Sequence, residues 1–358
     1  MNMQKGEHKA ITFDDKEDSV KIIDQTLLPF DFQIISINTV QQTYDAIKNM
    51  LVRGAPVIGA CAAYGVYWAV KECQGNKDCL FQKLEYLKSS RPTAVNLSFA
   101  IDWVIDKLKE DYSVPKTLAL AKKYAQKDID DCKAIGEYGF AIIKDLYEKS
   151  QKTINILTHC NAGWLATGEY GTALAPIYQA QKEGVPVHIW VDETRPRNQG
   201  ARLTAWELQQ KNVPFTVISD NTGGHLMQKG MVDLVIVGSD RTSVNGDVAN
   251  KIGTYLKALA AKDNNVPFYV ALPTSTIDIN IENGLEDIVI EERASDEVAY
   301  IKGWNKETNK EETIQLIPDG ANALNYAFDV TPAQYVTGLI TEKGICKTQK
   351  ESILALFK

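Results

Sequence analysis

The sequence predicts a mixed α/β protein in which a helical N-terminal domain with a small β-sheet precedes a Rossmann-like domain with a parallel sheet. Two observations predict this class. Residues 39–150 carry helical periodicity with few interruptions, and from residue 153 short apolar strands alternate with helical segments. Strands separated by helices form parallel sheets that are covered on both faces. We therefore divide the chain into an N-terminal domain (1–120), a connecting helix (121–150) and a Rossmann-like C-terminal domain (151–358).

The composition of the 358-residue chain argues against several classes of protein. A net charge of −7 and a pI near 5.3 disfavour nucleic acid as the main partner, although a local basic pocket can still hold a small anion. No apolar run approaches the roughly 18 residues that span a bilayer, and the polar N-terminus does not resemble a secretory signal. Six cysteines without paired short spacings predict reduced thiols. Together these features predict a cytoplasmic protein without a membrane segment.

The N-terminal domain begins with β-like runs and continues as helices. The apolar runs that predict the small antiparallel sheet lie at 10–13, 19–29 and 32–37. The helical patterns lie at 39–51, 55–73, 78–90, 94–110 and 117–150. Two helices begin beside an arginine and a proline, in "RGAP" (Arg53 to Pro56) and "RPTAVN" (Arg91 to Asn96). Proline suits the first helical turn because its missing N–H would lack a partner there.

The C-terminal domain alternates strands and helices. The predicted strands lie at 153–159, 185–191, 214–220, 232–240 and 266–272. The predicted helices between and after them lie near 163–182, 199–212, 222–229 and 247–262. A later stretch, "KGWNKETNKEET" (302–313), has the composition of a charged loop.

Reactive side chains follow the predicted parallel strands where each strand ends. Four strands end in Thr158–Cys160, Asp192–Arg195, Asp220–Thr222 and Gly238–Arg241. Ligands of parallel α/β sheets bind at the carboxyl ends of the strands. This concentration of polar groups therefore favours a small-molecule site at that edge.

Cys160 and Asp240 are the candidates for chemistry at these strand ends. Cys160 precedes a helix predicted to start near Gly163, and the dipole of that helix favours a thiolate. A buried cysteine that packs as a small hydrophobe is the alternative. Asp240 ends an apolar run, where burial raises a carboxyl pKa and suits a general acid. Its alternative is an ion pair with Arg241 or a cap on the following helix. Both alternatives stay open at this point.

Three cationic side chains predict an anion site. Asn250 and Lys251 fall in the first turn of the helix predicted after Asp247, where a lysine is disfavoured unless an anion is present. Arg53 and Arg91 lie at two other helix starts, where free N–H groups also bind anions. If the two domains face each other, the three cations favour phosphate.

Signals for a cofactor or a metal are missing from the sequence. There is no G-x-G-x-x-G after a strand and no P-loop. The four histidines, His8, His159, His188 and His225, lack the spacing of metal ligands. His159 is disfavoured as the base for Cys160 because adjacent strand residues point to opposite faces. We therefore expect neither a metal nor a cofactor.

Seven motifs, in order from residue 53 to about 345, resemble one known family. They are "RGAPVIG", "THCNAGWLATGEYGTALAPI", "DETRPRNQGARLTAWEL", "VGSDRTSVNGDVANKIGTY", "VPFYVALPTSTID", "IVIEER" and "AFDVTPAQYVTGLITEKGI". The set resembles the methylthioribose-1-phosphate isomerase family, which shares its fold with regulatory subunits of the translation-initiation guanine-nucleotide exchange factor. The resemblance implies a cofactor-independent aldose–ketose isomerase of methionine salvage that acts on a small sugar phosphate as a homodimer.

The resemblance also implies roles for individual residues. Cys160 and Asp240 match the catalytic pair. The substrate-binding positions match Arg53, Gly54, Ala55, Arg91, Gln199, Asn250 and Lys251. The regulatory subunits generally lack the thiol and acid, so their presence here favours an enzyme over a regulatory protein.

Three residues depart from the family pattern and leave the substrate open. Trp164 stands where a small residue is expected, and either reshapes the pocket or packs outward. Ser239 and Thr242 replace an alanine and an isoleucine beside Asp240. The alternatives are therefore an isomerase of 5-deoxyribose 1-phosphate or ribose 1,5-bisphosphate, or a non-catalytic regulatory subunit.

Overall fold

A computed structural model describes residues 9–92 and 94–358 of the chain. Its N-terminal part opens with a three-stranded antiparallel sheet of β1 (Ile11–Asp14), β2 (Ser19–Ile23) and β3 (Ile34–Ile37). Four helices follow: α1 (Val40–Lys48), α2 (Ala55–Cys73), α3 (Lys77–Lys88) and α4 (Val95–Leu108). The first eight residues, which include His8 and part of the polar N-terminus, lie outside the described residues, as does Thr93.

Helix α2 is the centre of the N-terminal part because it is apolar on every face. Its residues from Pro56 to Val70 are all buried, as expected of a helix without a polar side. Pro56 occupies the first turn, and Gly54 caps the helix with a φ of +100°. A Cβ on Gly54 would lie 2.5 Å from the Cβ of Ala166, so only glycine allows the start of α2 to approach the C-terminal part this closely.

Helix α5 (Val114–Ser150) joins the two parts of the molecule. Its first half packs on α2 and α4, and its second half packs on the C-terminal part. Two glycines on the second half permit this contact. A Cβ on Gly139 would lie 2.4 Å from Cγ of Pro176, and one on Gly136 would lie 3.1 Å from Cβ of Ala175.

The C-terminal part is built on a seven-stranded sheet. Its strands are β4 (Ile154–Thr158), β5 (Val187–Asp192), β6 (Phe215–Ile218), β7 (Leu234–Val237), β10 (Phe268–Ala271), β15 (Gly338–Thr341) and β16 (Gly344–Cys346). The spatial order is β16-β15-β10-β7-β4-β5-β6, and every pair except β15–β16 is parallel. The predicted fold class is confirmed.

The helices of the C-terminal part lie between these strands in the chain or after the last of them. They are α6 (Trp164–Thr167), α7 (Ala175–Lys182), α8 (Ala205–Gln210), α9 (Thr222–Gln228), α10 (Thr254–Asp263), α11 (Gly284–Asp287), α12 (Asp296–Ala299) and α13 (Lys350–Leu354). A π-helical turn (Gly200–Thr204) precedes α8. Among the described residues, none of the helices combines the length and the apolar character that crossing a membrane requires.

A second sheet and a hairpin were not predicted. The spatial order of the strands in the second sheet is β11 (Ile277–Asp278), β8 (Arg241–Ser243), β9 (Val248–Lys251) and β14 (Phe328–Thr331). The hairpin pairs β12 (Tyr300–Asn305) with β13 (Lys310–Gln315). The prediction of a charged loop at 302–313 is therefore wrong. Asn305 accepts hydrogen bonds from the backbone of Glu307 and Thr308, and Asn309 takes a φ of +54°, which together close the turn.

Two helix predictions fail for local reasons. The helix predicted at 163–182 is broken into α6 and α7, because Gly168 and Gly171 adopt positive φ between them. The helix predicted at 247–262 begins only at Thr254. Asn245 and Gly246 form the turn of the β8–β9 hairpin, so residues 248–251 continue as a strand. The carboxylate of Asp247 accepts hydrogen bonds from the backbone N–H groups of Gly284 and Ala333, and does not cap a helix.

The prediction that all six cysteines are reduced is also wrong. Cys73 and Cys79 form a disulfide, with a Cα–Cα distance of 5.7 Å. Gln74 and Gly75 both take positive φ after α2 and reverse the chain. This reversal brings the last residue of α2 against the first turn of α3, a proximity that spacing alone does not reveal. Cys61, Cys132, Cys160 and Cys346 are free.

Candidate active site

All nine residues singled out from the sequence line one cavity. It lies where the carboxyl ends of β4 and β7 and the β8–β9 hairpin meet the start of α2. The nine are Arg53, Gly54, Ala55, Arg91, Cys160, Gln199, Asp240, Asn250 and Lys251. We call this space the catalytic cavity, after the two lining residues that the sequence predicts to be catalytic. Its volume is about 50 Å³, well below the ≈ 300–1,000 Å³ typical of ligand pockets.

Cys160 is held in an unusual backbone conformation by two threonines. Its φ is +63°, a left-handed conformation that costs roughly 1–2 kcal/mol for a residue other than glycine. The Cys160 N–H donates to Oγ1 of Thr194 (2.8 Å), and its carbonyl accepts from Oγ1 of Thr204 (2.6 Å). The geometry of this loop turns the thiol toward the catalytic cavity instead of continuing the strand.

Asn161, the next residue, links the loop to Arg53. The guanidinium of Arg53 donates to the side-chain Oδ1 of Asn161 (2.6 Å) and to its carbonyl oxygen (2.7 Å). The amide of Asn161 in turn donates to Oε1 of Glu207 (2.9 Å). Both acceptors are neutral groups, so these hydrogen bonds fix Arg53 beside Cys160 without neutralising its positive charge.

Glu207 occupies the backbone N–H groups that were expected to favour a thiolate at Cys160. The carboxylate of this fully buried residue accepts from the first backbone N–H groups of α6, at Trp164 (2.9 Å) and Leu165 (3.0 Å). The start of this four-residue helix is therefore already neutralised. Burial raises the pKa of the Cys160 thiol, and the charges of Arg53 and Lys251 offset that effect only in part. The prediction that helix α6 favours a thiolate is wrong.

Asp240, the predicted general acid, contributes its carboxyl group to the catalytic cavity. Its backbone N–H donates to the carbonyl of Ala249 (2.9 Å), which fixes it beside the β8–β9 hairpin. Arg241 pairs with Asp278 (2.9 Å), so the alternative ion pair between Arg241 and Asp240 does not form. Burial raises the pKa of Asp240 above its ordinary value, although the positive charges of Lys251, Arg91 and Arg53 lower it in part.

Asn250 and Lys251 reach the cavity from a strand, not from a helix start. They end β9, which pairs antiparallel with β14. Asn250 donates to Oγ1 of Thr254 (3.0 Å), and the ammonium of Lys251 lies 4.9 Å from the ring centre of Phe328. Burial lowers the pKa of Lys251, while Cys160 and Asp240 raise it in part. Of the three cations predicted to bind an anion, Lys251 therefore lines the cavity from a strand end, whereas Arg53 and Arg91 line it from the starts of α2 and α4.

Arg91 and Gln199 complete the wall of the cavity. Arg91 lies 3.3 Å from the carboxylate of Glu291. Gln199 immediately precedes the π-helical turn and is 4% exposed. Its Oε1 has no hydrogen-bond partner among the described residues. An unpartnered buried acceptor is costly unless a ligand or water supplies a donor, as the hydroxyl of a sugar does.

His159 also lines the catalytic cavity, but both of its ring nitrogens are held in a hydrogen-bonded network. Its Nδ1 is 3.0 Å from Oδ2 of Asp192, and its Nε2 is 2.8 Å from the carbonyl of Ile252. Together with Asp220, these side chains form the one group within the described residues whose spacing suits a metal ion. Lys257 already lies 3.0 Å from Asp192, and both ring nitrogens are engaged. The group therefore has the features of a structural network more than those of an open cation site.

The residues that depart from the family pattern have definite positions. The ring of Trp164 packs against Trp206, with centres 5.7 Å apart, in the hydrophobic core of the N-terminal part. It packs outward and does not line the catalytic cavity. Ser239 does line that cavity, and its hydroxyl bonds to that of Thr242 (2.8 Å).

Glu207 and the two threonines were missed from the sequence. Their contacts join Cys160 and Asn161 to residues more than 30 positions away, and no local pattern marks such pairs. A weak signal was present, because Glu207 is an acid within the apolar helical stretch "LTAWEL". A buried acid of this kind needs donors nearby.

Comparisons with known proteins agree on one family. The model of the initiation factor 2 subunit family matches residues 51–348. The methylthioribose-1-phosphate isomerase of Desulfosudis oleivorans is 51% identical over 357 residues, which covers 96% of this chain and 95% of that protein. The crystal structure of 5-methylthioribose 1-phosphate isomerase from Pyrococcus horikoshii OT3 has a TM-score of 0.83 at 37% identity, and covers 98% of this chain and 96% of that one.

A second solved structure has a different name. The crystal structure of the translation initiation factor eIF-2B, subunit delta, from A. fulgidus has a TM-score of 0.80 at 38% identity. The match covers 98% of this chain and 99% of that chain. Both solved structures therefore share the complete fold with this chain.

Proposed function

The chain belongs to the initiation factor 2 subunit family, and we propose that it is the member that converts 5-methylthioribose 1-phosphate to 5-methylthioribulose 1-phosphate. The reaction is an aldose–ketose isomerisation within methionine salvage. The observation that carries the proposal is the cavity itself, in which a thiol and a protonatable carboxyl lie among Arg53, Arg91 and Lys251. The names of the relatives described above support the same substrate.

Ring opening is the first chemical difficulty, and Asp240 is suited to it. The anomeric oxygen of the substrate carries phosphate, so the ring cannot open through a free hemiacetal. An acid must protonate the ring oxygen instead. The raised pKa of Asp240 keeps a proton available. The carboxylate left after transfer is stabilised by the positive charges of Lys251, Arg91 and Arg53.

Cys160 acts at the next step, in which hydrogen moves from C2 to C1. In one mechanism the thiolate form of Cys160 takes the C2 proton, an enolate-like intermediate forms, and the resulting thiol returns a proton to C1. In the other, hydride shifts directly and the thiol stabilises the transition state. Isomerisation in D₂O distinguishes them, because only proton transfer through an exchangeable thiol places deuterium at C1 of the product. In both mechanisms a closed cavity keeps water from the intermediate.

The phosphate is bound by buried cations and backbone donors. Lys251, Arg53 and the start of α2 at Ala55 all line the catalytic cavity, and the free N–H groups of a helix start bind anions. Gln199, with its unpartnered acceptor, is suited to a sugar hydroxyl. No cofactor or metal takes part in this scheme, since acid and thiol chemistry suffice for an isomerisation that is redox-neutral overall.

Replacing Lys251 by Ala is expected to weaken binding more than turnover. Removing a charged donor to phosphate costs roughly 1.5–3 kcal/mol, so KM for the sugar phosphate should rise about tenfold to a hundredfold. The exposed Lys262 on α10 provides a control, and Lys262→Ala should leave KM unchanged. Steady-state kinetics measure both constants. An unchanged KM in Lys251→Ala would remove this lysine from the phosphate site.

The pH dependence should carry the signature of a protonated acid. Asp240 acts while protonated, so kcat should be highest below its pKa and fall as pH rises through it. Because burial raises the pKa of Asp240 above 3.8, kcat should fall at a higher pH than it would with an ordinary aspartate as the acid. Lys251 lowers the pKa of Asp240, so in Lys251→Ala the decrease in kcat should occur at a still higher pH. A movement to lower pH would contradict the assignment.

A regulatory role is the second candidate, because the A. fulgidus initiation-factor structure matches this chain as well as the enzyme does. The two candidates differ in one assay. Purified protein is incubated with 5-methylthioribose 1-phosphate, 5-deoxyribose 1-phosphate and ribose 1,5-bisphosphate, and ketose formation is measured. Turnover of none of them would remove the enzyme proposal. A cytoplasmic homodimer is part of the proposal, and sedimentation distinguishes a dimer from the 39.8 kDa monomer.

A further inference from the structure

Glu207 is a fully buried acid on α8 that has no role in the scheme above. Its carboxylate accepts four hydrogen bonds, two at each oxygen. Oε1 accepts from the side-chain amide of Asn161 (2.9 Å) and from the backbone N–H of Leu165 (3.0 Å). Oε2 accepts from the backbone N–H of Trp164 (2.9 Å) and from the hydroxyl of Tyr178 (3.0 Å). Three of the four donors belong to the loop and the helix start that follow β4, so this carboxylate holds that segment in place.

The loop after β4 is fitted closely around this carboxylate. A Cβ on Gly163 would lie 1.9 Å from Oε2 of Glu207. No side chain fits at that distance, so a glycine is needed for the backbone to pass the acid here. Glu207 is itself fixed by its neighbours in the chain, because Trp206 and Leu208 are buried in two separate hydrophobic clusters. Packing on both sides therefore defines the position of the carboxylate relative to the loop.

The acceptors around Asn161 determine which way its side-chain amide faces. Its Nδ2 donates to Oε1 of Glu207 (2.9 Å) and to Oγ1 of Thr204 (3.2 Å). Neither acceptor can donate in return, because a carboxylate has no hydrogen and the hydroxyl of Thr204 donates its single hydrogen to the carbonyl of Cys160 (2.6 Å). A flipped amide would place its oxygen against both acceptors. Nδ2 therefore faces Glu207, and Oδ1 faces the opposite way.

Arg53 lies on that opposite side of Asn161. Its Nη1 donates to Oδ1 of Asn161 (2.6 Å), and its Nη2 donates to the carbonyl oxygen of the same residue (2.7 Å). Arg53 precedes α2 in the N-terminal part, whereas Asn161 and Glu207 belong to the C-terminal part. Hydrogen bonds that involve a charged group are roughly twice as strong as those between neutral groups. The chain of contacts from Glu207 through Asn161 therefore fixes the guanidinium at the wall of the catalytic cavity.

We infer that Glu207 is a positioning residue, which acts through Asn161 to hold Arg53 where it binds the phosphate of the substrate; this inference rests on the phosphate site of the proposed function. Glu207 does not line the catalytic cavity, so its effect reaches the ligand only through other residues. A guanidinium that is already held in place loses less conformational freedom when it binds an anion than one that must first be ordered. Loss of Glu207 should therefore weaken phosphate binding more than it lowers kcat.

Glu207→Gln weakens this chain of contacts with the smallest change of shape. A carboxamide has one oxygen and no charge, so it cannot accept at both sites as strongly as the carboxylate does. We expect the Kd for inorganic phosphate and the KM for the sugar phosphate to rise about threefold or more, with a smaller decrease in kcat. Tyr178→Phe is the matched control, because it removes one donor to the same carboxylate without touching Asn161. It should leave the Kd within about twofold.

A double-mutant cycle separates positioning from a general effect on the structure. If Glu207 acts through Arg53, adding Glu207→Gln to Arg53→Ala should change the Kd for phosphate less than about twofold, because the group that Glu207 positions is gone. A merely structural role predicts that the two losses multiply. Isothermal titration calorimetry with inorganic phosphate measures the Kd of all four proteins. Losses that multiply, or an unchanged Kd in Glu207→Gln alone, would overturn the inference.

Asn161→Ala provides the same test if Glu207→Gln does not fold. It removes the amide that joins Glu207 to Arg53 and leaves the other three donors to the carboxylate in place. The phosphate titration does not depend on turnover. The expected pattern of Kd values without any ketose formation would overturn the isomerase proposal and leave this inference standing. Failure of the unmodified protein to bind phosphate would overturn the inference, because Arg53 would then hold no anion.

Discussion

Asp240→Asn is expected to lower kcat at least ~100-fold, the scale of a lost general acid, while the protein stays folded. Asparagine has nearly the same shape, so the backbone hydrogen bond from residue 240 to Ala249 is retained. The change removes the proton that the ring oxygen needs. It should also remove the fall in kcat at high pH, because no group at position 240 then titrates.

The control for this variant is an exposed carboxylate. Asp263 lies at the C-terminal end of α10, and Asp263→Asn should retain full activity. Circular dichroism and the Tm establish that each variant is folded. If Asp240→Asn retained a rate near that of the unmodified protein, Asp240 would not be the acid, and ring opening would have to depend on another group.

Cys160→Ser should have an effect of similar size, with kcat reduced at least ~100-fold. Serine keeps the φ of +63° and both backbone hydrogen bonds, because neither involves the sulfur. A hydroxyl is far less acidic than a thiol and far less polarisable. It therefore serves poorly as a base at C2 and poorly as a partner for a shifting hydride.

A matched cysteine outside the site provides the control. Cys346 on β16 is free and half-buried and does not line the catalytic cavity, and Cys346→Ser should keep the full rate. This pair of variants also decides the question that the sequence left open. If Cys160 were only a small packing residue, serine would replace it with little loss of rate.

The sequence was sufficient to predict the elements that bring the catalytic pair together. Cys160 and Asp240 each follow an apolar strand of a parallel sheet, and the general rule for such sheets places both at one edge. The resemblance to the isomerase family added the substrate and the binding positions. Neither source required knowledge of distances, because the parallel direction of the strands follows from their alternation with helical connections.

The errors share a physical cause, which is competition between local and distant contacts. Residues 248–251 have no decisive periodicity, and the Asn245-Gly246 turn together with pairing to β14 makes them a strand. The N–H groups of α6 that were expected to favour a thiolate at Cys160 are already occupied by Glu207, and burial raises the pKa of the Cys160 thiol. The Cys73–Cys79 disulfide depends on a reversal of the chain at Gln74. Each outcome is set by a partner that local sequence does not identify.

The most direct test of the central claim uses NMR to follow the substrate and the ketose product of the proposed reaction. Purified protein is mixed with 5-methylthioribose 1-phosphate, alongside the doubly substituted protein Cys160→Ser/Asp240→Asn. We predict that the unmodified protein forms 5-methylthioribulose 1-phosphate without any added cofactor, and that the double variant binds the substrate but forms no ketose. Absence of the ketose with the unmodified protein, or equal formation by the double variant, would contradict the assignment of this cavity as the isomerase site.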